Sequence, residues 1–108
     1  MTSGLQDRFL RDCEQAILGE DVYCDLYAIA IRMRLQGLSQ DEAYQVISSA
    51  KETVTGTKYF EGTAIDDAIC DALDHVVGYC SSSCHIWSPH FDLPKAVANL
   101  EKNHSASI

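Results

Sequence analysis

Between Thr63 and Cys84 apolar residues recur at three- and four-residue steps: Ile65, Ile69, Ala72, Leu73, Val76 and Cys80. At about 100° per residue these fall within one stripe, which predicts a helix over 64–80. Thr63 stands in the N-cap position with Asp66 three residues on, a capping-box pattern. Asp66 and Asp67 fall in the first turn, where the positive end of the helix dipole favours carboxylates. Opposite the stripe Asp67, Asp71 and Asp74 stack at i, i+4 and i+7, and Gly78 continues their line. Like charges four apart are slightly adverse to the helix that carries them. Such a line is either a solvated face or a surface that meets positive charge.

The same periodicity marks other helices. Ser3 and Gln6 form a capping box before a helix over 4–18, whose inner face is Leu5, Phe9, Cys13, Ala16 and Ile17. Asp7–Arg11 and Arg8–Asp12 are i, i+4 pairs on its outer side. A second helix covers 21–36 with Val22, Leu26, Ile29, Ala30 and Met33 as its main stripe. Tyr23, Tyr27, Ile31 and Leu35 widen that stripe nearly all round. A helix of this kind is central in its bundle, or pairs with a second copy or a partner. Gly37-Leu38 breaks the chain, and Ser39 to Glu42 is the strongest capping box in the sequence. The third helix, 40–54, turns Ala43, Val46, Ile47, Ala50 and Val54 inward. The short break predicts that the second and third helices are neighbours.

Residues 55–62 read as a loop punctuated by Gly56 and Gly62, with Tyr59 and Phe60 plugging the base of the bundle. His85 to Phe91 is an aromatic-rich connector in which Pro89 bars a continuous helix. A short last helix over 93–102 accepts Pro94 in its first turn and turns Ala96, Val97 and Leu100 inward. Residues 103–108 are expected to fray. The fold class that follows is all-α: a single domain over 1–108, a compact bundle of four main helices plus a short C-terminal fifth.

Charge changes this picture in one respect. Sixteen acidic against eight basic residues in a chain of 108 give a net charge of −8. From Lys58 to Lys95 no Lys or Arg intervenes, while Glu61, Asp66, Asp67, Asp71, Asp74 and Asp92 lie in that interval. Such a chain repels nucleic acid and membrane surfaces and favours a basic partner. A helix-turn-helix reading of the second and third helices meets the same objection, since Asp41 and Glu42 would face phosphates. The N-terminal residues MTSGLQDRF have no basic segment before an apolar run, and Leu26 to Ile31 is too short to cross a bilayer. A cytoplasmic protein with reduced thiols is the expectation, because five cysteines is an odd count.

Two constellations carry candidate chemistry. Cys80, Cys84, His85 and His90 have the residue types of a tetrahedral zinc site, which would make the chain a zinc-stabilised regulatory domain. Buried thiols with surface histidines are the alternative. Cys84 with His75, His85 or His90 has the types of a nucleophile and base, the basis for a small helical enzyme or enzyme subunit. No phosphate loop, HExxH or nucleophile elbow accompanies either. Trp87 and Phe91 follow the acidic helix closely; as core or lid residues they need no function, while as aromatic anchors ringed by carboxylates they would give both affinity and steering. The sequence therefore predicts a non-enzymatic acidic binding protein without a cofactor. Its partner surface is Asp66, Asp67, Asp71, Asp74, Trp87 and Phe91, and its partner is a protein with a basic nuclease or nucleic-acid-binding surface. Microbial immunity proteins and phage-encoded inhibitors are of this physical type.

Overall fold

A computed structural model describes residues 4–55, 64–78 and 84–106. They form five helices: α1 (Gly4–Leu18), α2 (Val22–Leu35), α3 (Gln40–Thr55), α4 (Ala64–Val77) and α5 (Leu93–Ala106). The helices pack on one another in an all-α globule. Its radius of gyration, 13.4 Å, is that of a folded chain of about this length.

Every apolar stripe named above for α1 to α4 faces the interior where it is described, and the core runs without a break from Phe9 on α1 to Phe91 beyond α4. α1 packs against α2 and α3, and α4 closes the circuit by packing against α2 and α3 from the other side. The expected pairing of α2 with α3 is only a minor contact; α3 meets α1 most extensively instead. A short link brings two helix ends together but leaves their faces free to choose other neighbours. α2 touches each of the other four helices. Ile31, off its main stripe, is fully buried, while Leu35 is 49% exposed.

The helix ends follow local chemistry. Ser39 and Glu42 close the reciprocal capping box: Ser39 N donates to Glu42 Oε1 at 2.9 Å and Glu42 N to Ser39 Oγ at 3.2 Å. α2 ends in a Schellman motif, with Leu38 N bonded to the carbonyl of Met33 and Gly37 N to that of Arg34. Gly37 supplies the left-handed residue this motif needs, at φ +91°. Asp92 caps α5 through Oδ1, which accepts from Lys95 N at 3.1 Å.

Two boundaries differ from the sequence expectation. α4 stops at Val77 rather than at residue 80, because Gly78 adopts φ +91° and ends the helix instead of extending its acidic line. α5 continues to Ala106 instead of stopping at residue 102; no Gly or Pro follows Pro94 to interrupt it. The expected pairs Asp7–Arg11 and Arg8–Asp12 do not form; the ion pair among the described residues is Lys51–Asp66. The caps assigned to Ser3 and Thr63, the plug assigned to Tyr59 and Phe60, and Cys80 lie outside the described residues.

Candidate functional site

α4 presents its carboxylates unequally. Asp67 and Asp71 are exposed, with Cys70 between them, and Asp74 is half-buried. Asp66 turns the other way and meets Lys51 of α3, Oδ1 to Nζ at 2.8 Å. Of the four predicted carboxylates, then, two face solvent freely. α3 continues the same sign of charge: Asp41, Glu42 and Glu52 are exposed. Bonds from the backbone and hydroxyl of Ser39, and from Gln6, hold the Glu42 carboxyl below the usual carboxylate range. Among the described residues the one Lys or Arg of α3 and α4 is Lys51, half-buried and paired with Asp66.

Trp87 and Phe91 belong to a different part of the molecule. The Trp87 indole N–H donates to the carbonyl of Leu38 at 2.9 Å, and Phe91 is 8% exposed with the Arg34 guanidinium 6.0 Å from its ring centre. Both rings are fastened to the C-terminal end of α2 and the turn after it. They serve as core walls, so the structure does not assemble them with Asp67 and Asp71 into one projecting surface.

What holds them there is a clasp that sequence reasoning missed. The carbonyls that end α4 need partners once the helix stops. Gly78 N takes that of Asp74, Ile86 N that of His75, and the His85 ring, through Nε2, that of Val76 at 3.0 Å. From the far side Arg34 donates to the carbonyls of Ile86 and Ser88. Two turns shape the segment: Ser88 N bonds to the carbonyl of His85 and Phe91 N to that of Ser88, with Pro89 in the second position of the latter. Ser88 Oγ accepts from His90 N at 3.1 Å, which satisfies a buried hydroxyl. Ile86 is thereby driven fully into the core.

His75 links the same three elements. Its Nδ1 lies 3.0 Å from the Cys84 carbonyl and its Nε2 2.7 Å from the Tyr23 hydroxyl. A carbonyl only accepts, so Nδ1 carries a proton, and in the neutral ring Nε2 accepts from the Tyr23 hydroxyl. Tyr27 packs edge-on against the imidazole at 5.0 Å and stacks with Tyr23 at 6.1 Å. Both ring nitrogens of His75 are thus engaged, and its bond to Cys84 goes to the backbone rather than the thiol.

The remaining thiols and histidines are scattered. Cys13 is buried, and Cys24, Cys70 and Cys84 are exposed. Burial first, then the Asp12 and Glu14 charges, push the Cys13 thiol up to about 12. Partial burial, a bond to Asp21 and the Asp21 and Asp25 charges also raise Cys24. Of the proposed zinc ligands, His85 is committed to the end of α4, and Cys84 and His90 are exposed. No group of three or more His, Cys, Asp or Glu among the described residues is arranged to hold a metal ion.

Behind the clasp, α2, the connector and α5 enclose a cleft of about 530 Å³. Tyr23, Tyr27 and Ile31 form one wall, Phe91 and His90 its end, and Lys95, Ala96, Asn99 and Leu100 the other wall. Among the described residues, no helix is long and apolar enough to cross a membrane. No family model, no curated protein and no solved structure matches this chain.

Proposed function

We propose that this chain is a small non-enzymatic protein-binding module of inhibitor or immunity type, acting in the cytoplasm. It covers the basic surface of a partner protein that itself handles nucleic acid or cleaves it. The observation that carries this reading is the one-signed exposed surface of α3 and α4: Asp41, Glu42, Glu52, Asp67 and Asp71, with Lys51 already paired to Asp66. A surface of this kind steers a basic partner and disfavours direct contact with phosphates or anionic lipid. The contact surface proposed is narrower than the sequence suggested, because Phe91 is buried and Trp87 is half-buried with its indole N–H bonded to the Leu38 carbonyl. Asp67 and Asp71 are its centre.

The test uses the protein carrying Asp67→Lys and Asp71→Lys together. A partner is captured from cell extract on immobilised wild-type chain, and its affinity for both forms is measured across a salt series. Charge reversal at two central positions is expected to cost several kcal/mol of binding. Wild-type association should weaken as the Debye length falls from about 30 Å at 0.01 M salt to about 8 Å at 0.15 M. Equal affinity of the two forms, with no dependence on salt, would sink the proposal.

A further inference from the structure

The groove between α1 and α3 borders the acidic surface proposed above, and the sign of its lining sets it apart. Asp7 of α1 and Asp41 and Glu42 of α3 line it, all exposed, and no Lys or Arg does. The other concavities described mix signs: Arg8 and Arg32 with Asp12, Arg32 with Asp12 and Asp25, and Lys95 with Asp92. Arg8 and Arg11 follow Asp7 on α1, yet among the described residues neither forms an ion pair with it or with α3.

Size and floor narrow the occupant. The groove has a volume of about 260 Å³, below the roughly 300–1,000 Å³ of small-molecule sites and suited to one long side chain. Val46 closes its base, and Leu10, half-buried, offers apolar surface that the stem of a basic residue can cover while its head stays in water. Glu42 is fixed in place, one carboxylate oxygen accepting from Ser39 N and the other from Gln6 Nε2. Those bonds also favour its ionised form. Asp7 and Asp41 enter no ion pair among the described residues.

We infer that the α1–α3 groove receives one arginine side chain of the basic partner, its guanidinium at Asp7 and Asp41 and its stem along Leu10. Arginine suits the groove better than lysine because its planar head offers five N–H donors to several carboxylates at once, where an ammonium is a point charge. The inference rests on the acidic-surface reading and names what that partner inserts.

The experiment is an amide-shift titration of the isotope-labelled full chain with three end-blocked tripeptides, Gly-Arg-Gly, Gly-Lys-Gly and Gly-citrulline-Gly. Citrulline is an uncharged isostere of arginine. Saturable shifts at Leu10, Gln45, Val46 and Ser49 are expected with the arginine peptide, weaker with lysine and absent with citrulline. Asp7→Asn with Asp41→Asn should weaken the arginine peptide about fivefold, the loss of two exposed ion pairs. Glu42 is left intact because it caps α3. Gln45→Arg, which supplies a guanidinium to the groove from the chain itself, should weaken the peptide as well. Asp67→Lys with Asp71→Lys should leave this titration unchanged at 0.15 M salt, where the Debye length is about 8 Å. The inference is overturned if lysine or citrulline binds as well as arginine, or if shifts gather on α4 or fail to saturate. It is also overturned if the Asp7 and Asp41 double variant binds as wild type does, or if the α4 variant loses as much. A captured partner that still depends on salt and on Asp67 and Asp71 would then leave the acidic-surface reading standing and remove only the groove.

Discussion

α2 and α4 have the same length, 14 residues each, and lie against one another, yet they divide the labour of the molecule differently. α2 carries apolar residues on most of its circumference and packs against all four other helices. α4 concentrates its apolar residues in one stripe and leaves Asp67, Cys70 and Asp71 in solvent. A sharp stripe thus marks the helix with a broad free face, and a blurred one marks the helix with more neighbours, whose exposed side is left to Cys24, Asp25, Arg32 and Leu35. Two polar residues of α2 reflect these neighbours. Tyr23 reaches His75, and Arg34 reaches the connector, because their surroundings are protein. On α4 Asp67 and Asp71 are left to water, while Asp66 is drawn into an ion pair with α3 and His75 is bonded to Tyr23 and to the connector.

The sharpest way to break this contrast is to remove bulk from α2. Ile31→Ala should destabilise by about 3 kcal/mol, in the usual range for a fully buried aliphatic side chain. Leu35→Ala, four residues on and half exposed, should change stability by less than about 1 kcal/mol. Urea midpoints with unchanged slopes would separate the two; equal losses would mean that α2 is buried evenly along its length.

The end of α4 comes next. Gly78 sits at φ +91°, and a Cβ there would stand 3.1 Å from the His85 ring. Gly78→Ala should cost about 2 kcal/mol through backbone strain and through displacement of His85 from Val76. Thermal unfolding measures the cost, and the His85 ring resonances report the displacement. A neutral substitution would show that the clasp does not depend on the left-handed turn.

The dry side should also have a pH signature. Cys13, on the inner face of α1, is held up at about 12 against an ordinary 9.0. The folded state keeps its proton where the unfolded chain loses it. That contribution is full below pH 9, declines as pH rises through the interval, and is gone above the folded value. The slope is about 1.4 kcal/mol per pH unit within the interval. Cys13→Ala should flatten the alkaline limb of a denaturation-versus-pH curve, even though it lowers stability at neutral pH. An alkaline limb of the same slope in both forms would contradict the assignment.

The smallest effect is expected on the wet side of α4. Asp67→Lys with Asp71→Lys should shift stability by no more than about 0.5 kcal/mol per site, while abolishing the salt-dependent binding proposed above. A large loss of stability would show that these carboxylates hold the fold together.

Much of the helical plan was legible along the chain. Leu5 to Ile17, Val22 to Met33 and Ala43 to Val54 mark their faces at helical spacing, and the Ser39–Glu42 box formed as read. What was not legible has a common character. Ile86 sits among His, Trp, Ser and Pro, where no period applies, and is fully buried. For Trp87 and Phe91 the sequence left core residue and binding anchor both open, because their partners, the Leu38 carbonyl and Arg34, are far away in sequence. The Tyr23–His75 bond spans 52 residues, and neither residue announces the other.

By itself, then, the sequence determined where helices form and which face of each is apolar. Those depend on propensity, capping and spacing within a few residues. It also determined the excess of negative charge and the absence of Lys and Arg between Lys58 and Lys95. Only the tertiary structure decided that α3 lies against α1 rather than α2, that Asp66 leaves the acidic face for Lys51, and that a cleft opens beside Lys95. Each of these depends on which helix faces meet. Apolar burial rewards any tight pairing of stripes and is nearly blind to order along the chain. The polar groups then take the partners that the chosen pairing brings within hydrogen-bonding distance.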